Sequence, residues 1–475
     1  MSDDPGGSPR QRQLSVDFAA YCGSPGSAER FFRVGSLIVV DANILLDLYR
    51  FSPEARKQVL QVFERLSSQM WIPHQAAVEF GRNRQNAVLD RMKLFRETKQ
   101  SLKDVENSAV RAVETAIDRL MRLRERTGVR SDWNLAAVGL DTESIRKRLT
   151  GIADPALAEL NSLQAEHDLD PKILENDPVL SELDRIFKGR LGSAYPTSKL
   201  RALVDEAHEF RFPNEVPPGF RDWNKETRLR AAGDFILWRQ TLDKAISCDV
   251  PDLPVLVVTR DSKPDWWAMD AKNNPIAPRP ELVQEMRDEA NADLGLVTLT
   301  GFLENAAKYL SSPVSAETLS EAAVVDEAAR LKTILRRVTE LSGVRPMNSE
   351  TVHAIGLDFE YLVTSLFIAM GCEVIGKALE GSARHADILL RCGSEVWAVE
   401  LKHYSRPLDV QVIRAVTATL EREGADRMVL VTLGPLTNSA KKMAIESGLV
   451  TIDMFELEQL LDHHIDGWSE RAGDS

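Results

Sequence analysis

The sequence has little cysteine: four in 475 residues, Cys22, Cys248, Cys372 and Cys392, far apart and never as a CxxC pair. That argues against a zinc cage and suits thiols kept reduced in a cytosol. No apolar run approaches the roughly 18 residues that a membrane span needs. The first 14 residues (MSDDPGGSPRQRQL) have no apolar stretch of the signal-peptide kind. They read as a disordered tail. A GxxxxGK[ST] phosphate loop is missing, so ATP dependence is not expected. Positive charge is in the minority, with a net charge of −13. A surface coated in basic residues is therefore not expected. A local basic patch is still allowed, and residues 119–130 (RLMRLRERTGVR) are one candidate.

What is present is an ordinary globular composition, 43% hydrophobic and 28% charged. The length suggests roughly two to four domains. The most informative stretch is Val396-Trp397-Ala398-Val399-Glu400-Leu401-Lys402. Strand side chains alternate, so Glu400 and Lys402 point the same way. Asp387 opens a neighbouring apolar run, Ile388-Leu389-Leu390. If the two runs pair, Asp387, Glu400 and Lys402 meet. Two carboxylates suit a hard divalent cation, and a lysine beside them can position or polarise a water. A Glu-x-Lys pair also suits a plain solvated face. The apolar flanks favour chemistry, because buried charges need partners.

Earlier in the chain, Leu37-Ile38-Val39-Val40 runs into Asp41-Ala42-Asn43. A continuous apolar run of this kind reads as a buried parallel strand. Asp41 then lies at its carboxyl end, where open α/β sheets bind ligands. Asn43 can orient Asp41, although Asp-Ala-Asn also suits a turn or helix cap. Ser52-Pro53 opens a helix, and Trp71-Ile72-Pro73 is a short strand. A helix over 74–95 carries Glu79 beside Arg82, a spacing that also fits a surface ion pair. Residues 85–200 read as a helical arm. Ala109, Val113, Ala116, Leu120 and Leu123 form a packing stripe there, and Asp154-Pro155 and Asp170-Pro171 punctuate it. Gly233-Asp234 opens an amphipathic helix. Pro254 to Asp261 is a second buried strand ending in Asp, and Leu294 to Leu299 a third. Alternating strands and helices predict a parallel α/β sheet. Its shared edge brings Asp41 near Asp261, with Glu79 and Asp234 within reach. A cation relieves such crowding of like charge.

These segments, VVDANILLDLYR (39–50), PHQAAVEFGRNR (73–84), PPGFRDWNK (217–225), GDFILWRQ (233–240) and VLVVTRDSKPDWW (255–267), resemble a PIN-like nuclease domain over roughly 29–310. The resemblance implies a metal-dependent nuclease with a long helical insertion at about 85–210. It implies acidic ligands Asp41, Glu79, Asp234 and Asp261, with Asp222 and Asp265 as weaker candidates. It does not choose RNA over DNA.

Residues 311–350 read as a linker with a helix from Glu321 to Leu341, a spacer bearing Arg330, Lys332, Arg336 and Arg337. From Ser349 the predicted order is α-β-β-β-α-β. With Phe359-Glu360, Asp387, Glu400-Leu401-Lys402 and the stretch 437–440, residues 351–462 resemble the Mrr-like branch of PD-(D/E)xK restriction endonucleases. The branch usually has several glycines just before the Asp. Here Gly381-Ser382-Ala383-Arg384-His385-Ala386 is bulkier, which bears on substrate fit. The resemblance implies Asp387 and Glu400 as metal ligands, Lys402 as the residue acting on water and Glu360 as a supporting acid; Gln411 could contact substrate or backbone, although an exposed polar helix position fits it better. Residues 463–475 read as a tail.

The combined expectation is an α/β protein with two Mg²⁺- or Mn²⁺-dependent nuclease domains, within residues 15–310 and 351–462. It would act in the cytoplasm on DNA or RNA, with no membrane, and the sequence leaves a homo-oligomer open. By analogy it would serve in defence against foreign nucleic acid. A second reading makes the C-terminal domain a DNA-binding module that targets the first nuclease, and a third makes the first domain a toxin-type ribonuclease.

Overall fold

A computed structural model describes residues 19–22, 27–127, 142–166, 176–270, 274–342, 349–377, 386–403 and 406–465. The expected tail at 1–14, the turn at 381–385 and Asp170-Pro171 lie outside these. Two compact units form, one of Met1–Asp47, Gln58–Phe80 and Ile186–Ser475, the other of Leu48–Lys57 and Gly81–Arg185.

The first unit contains two sheets. In the N-terminal one, β1 (Leu37–Val40), β2 (Met70–Trp71), β3 (Leu253–Val258) and β6 (Ala292–Val297) are all parallel, in the order β2-β1-β3-β6. The apolar run of β1 is buried at every position, as a strand covered on both faces must be. Val40 pairs with Val258, so Asp41 and the Thr259–Asp261 stretch leave the sheet side by side. A hairpin of β4 (Trp267–Met269) and β5 (Pro275–Pro278) follows, which the sequence pattern did not indicate. Helix Gly233–Cys248 is not amphipathic as expected. Phe235, Ile236, Leu237 and Trp238 are consecutive and all buried, so it runs through the core.

Among the described residues the C-terminal sheet has five strands. Strands β7 (Glu373–Lys377), β8 (Ile388–Cys392) and β9 (Glu395–Lys402) form an antiparallel meander. Strands β10 (Arg427–Thr432) and β11 (Leu449–Ile452) add in parallel. Alternate residues serve opposite faces. Val399, Val429 and Val431 pack with Phe359, Leu362 and Phe367 of helix Ser349–Ala369, whereas Ala398 and Leu430 pack with Ile413 and Val416 of helix Val410–Leu420. Helix Met454–Ile465 closes the first face, so residues 463–465 of the expected tail are helical.

Two further expectations are corrected. Helix Ala316–Ser342 is no free spacer, because Leu331, Leu335 and Val338 join the C-terminal core. Cys372 and Cys392 form a disulfide, where unpaired thiols were expected. Twenty residues separate them in sequence, but Glu373 pairs with Arg391 across β7 and β8 and brings them opposite. Among the described residues no helix is long and apolar enough to cross a membrane.

The second unit is helical. Helix His74–Thr127 runs well beyond residue 95, and its portion from Gly81 belongs here. Its inward face carries Val88, Phe95 and Val110, then half-buried Val113, Ile117 and Met121. The stripe predicted through Ala116, Leu120 and Leu123 is turned outward, with Leu123 60% exposed. A start at Ala109 rather than Val110 rotates the stripe by about 100°. Pro155 lies inside helix Thr142–Glu166 and does not end it. Asp177 anchors the unit, accepting from the Tyr49 hydroxyl and from Arg84 Nη1, each at 2.6 Å.

Phe359 is fully buried at the centre of the C-terminal core. Phe359→Ala is expected to destabilise that domain by about 3–5 kcal/mol through lost burial and a cavity. Chemical denaturation followed by circular dichroism measures it. A loss within about 0.5 kcal/mol, the surface-substitution range, would contradict this packing.

Candidate active sites

The first site forms where β1 and β3 end. Asp41 Oδ1 accepts from the Ala42 amide at 2.6 Å. Its Oδ2 accepts from Asn43 Nδ2 at 2.8 Å and from the Thr259 hydroxyl at 2.6 Å. Asn43 also accepts from the Arg260 amide through Oδ1, at 3.1 Å. Asn43 therefore ties the two strand ends together while fixing the Asp41 rotamer. Glu79 Oε1 accepts from Gln75 Nε2 at 2.6 Å. A Cβ on Gly233 would come within 2.9 Å of that oxygen, so the absent side chain lets the carboxylate approach helix Gly233–Cys248. Burial, then Glu79, Asp234 and Asp261, push the Asp41 carboxyl up to about 7, against the Thr259 hydrogen bond. The four sequence-predicted acids are thus brought together.

Lys263 is the residue the sequence reading missed here. Its Nζ lies 2.7 Å from Asp261, 2.9 Å from Asp222 and 3.3 Å from Asp234. Burial opposes its charge, yet Asp234, Asp261, Asp222 and Asp265 hold it well above the ordinary lysine range. Asp222 is fully buried and also meets Lys225 at 2.5 Å and Arg336 at 3.0 Å. Burial is outweighed there by the two lysines, and its carboxyl falls below the usual range. Of the two weaker candidates, Asp222 is therefore a hub for cations. The only local signal for Lys263 was its position two residues after Asp261.

The second site lies on β8 and β9. Ile388 pairs with Val399, which sets Asp387 beside Glu400. Asp387 Oδ2 accepts from the Leu401 amide at 2.7 Å. Lys402 Nζ lies 2.5 Å from Glu400 Oε1, as their shared strand face requires. Burial raises the Asp387 carboxyl against Leu401 and Lys402, with Glu360 adding to the rise. Burial also raises Glu400, opposed by Lys402 and assisted by Asp387. Glu360, on helix Ser349–Ala369, thus faces this cluster. His403 is a further neighbour that sequence reasoning passed over. Its ring lies beside Gly356, and burial and Lys402 lower its pKa against the pull of Asp387. Gln411 is exposed on the first turn of helix Val410–Leu420, and no contact described there ties it to the cluster.

Among the described residues, no three His, Cys, Asp or Glu side chains form a finished metal cage. The donor chemistry nevertheless fits a hard cation in both places. Glu400 Oε2 is buried and, among the described residues, has no hydrogen-bond partner. Asp41 and Asp234 are both raised by burial among other carboxylates. Divalent cations with oxygen ligands relieve such positions.

Asp265 completes the first cluster from below. Its Oδ2 accepts from the Gly219 and Arg221 amides at 3.0 and 3.3 Å, while buried Oδ1 has no partner. Burial raises the carboxyl to about 7 against Lys263, with Asp261 and Asp234 adding to the rise. The preference for a proton stabilises the fold fully below the ordinary value of 3.8 and is lost as pH rises to about 7. Asp265→Asn keeps one acceptor and puts a donor where Oδ1 is unpaired. In EDTA, its melting temperature relative to wild type is expected to climb between about pH 5 and about pH 8. A flat difference across that range would show that this carboxyl is not held near neutrality.

Two family profiles match the chain. The one described as PIN like domain matches residues 37–282, and the one described as restriction endonuclease matches residues 354–461. No curated protein and no solved structure matches. The two domains support a nuclease with nucleic acid as its substrate. The first match covers more than half of the chain and takes in Asp41, Glu79, Asp234 and Asp261; the chain belongs to the PIN like domain family, with a restriction endonuclease domain following in the same chain.

Proposed function

We propose that the chain hydrolyses phosphodiester bonds at two divalent-metal centres, one in each nuclease domain. The observation that carries this reading is that buried or partly buried carboxylates meet a lysine where strands end in both domains: Asp222, Asp234 and Asp261 around Lys263 in the first, and Glu400, with Asp387 beside it, at Lys402 in the second. Asp41, Glu79, Asp234 and Asp261 would hold Mg²⁺ or Mn²⁺ in the first, and Asp387 and Glu400 in the second. The bound cation would lower the pKa of a water and offset charge on the reacting phosphate.

The protein groups divide the remaining work. Asn43 and Thr259 hold Asp41 in one rotamer, which keeps its free lone pairs directed into the cluster. Lys263 keeps three mutually repelling carboxylates together. Lys402, paired with Glu400, presents N–H donors that can orient an attacking water or meet charge on the phosphate. Glu360 adds negative charge behind Asp387, and Gln411 is a candidate substrate contact at a helix start. Two nuclease domains in one chain fit defence against foreign DNA or RNA. Such a role belongs in the cytoplasm, where the Cys372–Cys392 bridge has to persist against thiol reduction.

Cleavage of duplex DNA, single-stranded DNA and RNA in Mg²⁺ and in Mn²⁺ tests this directly. Asp41→Ala and Lys402→Ala are each expected to lower one activity by about 10²–10³-fold, the scale of losing one electrostatic stabiliser. Different substrates lost by the two variants support two working centres. Loss with Asp41→Ala alone makes the C-terminal domain a targeting module. If an active wild type is matched by both variants, both site assignments fail.

A further inference from the structure

Beside the first acid cluster is a small, open-sided cleft with a cavity volume of about 30 Å³. Its walls carry Arg221, Lys263, Arg330, Arg336 and Arg337, and among the described residues no acidic side chain lines it. In a chain of net charge −13, five cations line this one cleft, four of them ion-paired to acids outside its lining. Several of these cations are pinned from behind. Arg336 and Lys263 reach Asp222, Arg337 pairs with Asp358, and Arg330 lies 3.6 Å from Glu327 while donating to Asn274 and to the Tyr361 hydroxyl. Arg221 differs. Among the described residues its guanidinium has no ion pair, and its buried Nε has no hydrogen-bond partner. Nε of Arg330 and of Arg337 are likewise buried without an acceptor.

Arginine guanidinium groups held close together repel, and the burial of Arg337 near Arg221 lowers its pKa. What suits planar donors gathered in this way, with Arg221 lacking an ion pair among the described residues, is an anion with several acceptor oxygens, and phosphate suits them best. Arg330, Arg336 and Arg337 lie on helix Ala316–Ser342, between the two family matches and inside neither. Lys263 is shared, lining the cleft and touching Asp222, Asp234 and Asp261. An anion in the cleft therefore lies directly beside the proposed first centre.

We propose that this cleft binds a backbone phosphate of the nucleic-acid strand presented to the first acid cluster, with Arg221 as its principal donor. This rests on the nuclease reading and deepens it, since the cleft would hold the strand in register with the acids. Helix Ala316–Ser342, which neither family supplies, would then give the first nuclease domain a positioning element of its own.

The test is binding, separate from cleavage. Fluorescence anisotropy of a short labelled single-stranded RNA and of the same sequence in DNA is measured on the full chain, with Ca²⁺ in place of Mg²⁺. The variants are Arg221→Glu and Thr333→Glu; Thr333 lines the same cleft from the helix and lies outside the acid cluster. Each is expected to bind about tenfold more weakly, with a shallower dependence on salt by about one phosphate contact, roughly 0.7 in slope. Thermal unfolding of each variant checks the fold, and the two substitutions stand on different elements, so misfolding of one leaves the other. Wild-type affinity in a folded variant of either kind overturns the proposal and leaves the nuclease reading standing. Absence of wild-type binding to both strands overturns the proposal, while the nuclease reading is decided by the cleavage assay, which includes duplex DNA. Inorganic phosphate and a mononucleotide are added as competitors. If either is released by the variants while the strand is not, the cleft takes a free phosphate compound and the strand proposal is wrong.

Discussion

The ammonium of Lys263 is the charge on which the first site depends. Three carboxylates lie within 3.3 Å of it, and one of them, Asp222, has no exposed surface. Isolated buried charge is costly enough that a group would change its protonation before it stayed ionised. Here the acids keep the lysine charged, and the lysine keeps them close to one another. The cluster still contains more acid than Lys263 neutralises, and the excess shows in the raised Asp41, Asp234 and Asp265. A site in this condition favours added positive charge at Asp41 and repels anions until that charge is supplied. Negative ligands are drawn instead to the neighbouring arginines.

The second site reaches a similar balance with fewer groups. Glu400 and Lys402 neutralise each other along one face of β9, and Asp387 leans on the Leu401 amide from the next strand. Position is fixed by strand register, not by a loop. Slipping β8 against β9 by one residue would turn Asp387 away from Glu400, because strand faces alternate. The Ile388 and Val399 side chains are buried in the same core, so the apolar packing that stabilises the sheet also holds the two carboxylates in contact.

Much of this was legible from local pattern. The unbroken run Leu37–Val40 announced a buried strand, and two such runs ending in Asp announced their meeting at one edge. Period-two spacing put Glu400 and Lys402 on one face. What the sequence hid is what depends on pairing between distant segments. Lys263 meets Asp222 across 41 positions, and Arg336 meets it across 114. The Cys372–Cys392 bridge follows from the β7–β8 pairing, which no cysteine spacing rule describes. The stripe on helix His74–Thr127 was misjudged for a different reason. An apolar face of a long helix is defined only to within a residue, and half-buried Ile117 was left out in favour of exposed Ala116.

Helix Ala316–Ser342 shows why a spacer reading was insufficient. Leu331, Leu335 and Val338 commit one face to the C-terminal core. Arg336 and Arg337 are adjacent, so their side chains diverge by about 100° around the helix. One reaches Asp222 of the first cluster, the other Asp358 on the helix that carries Glu360. Neither acid can be left unpaired cheaply, since Asp222 is fully buried and Asp358 nearly so. A flexible tether would not hold two adjacent residues to two such partners. The helix therefore holds its register against both domains, and the arginines it brings to the cleft are fixed by the same packing that builds the C-terminal core.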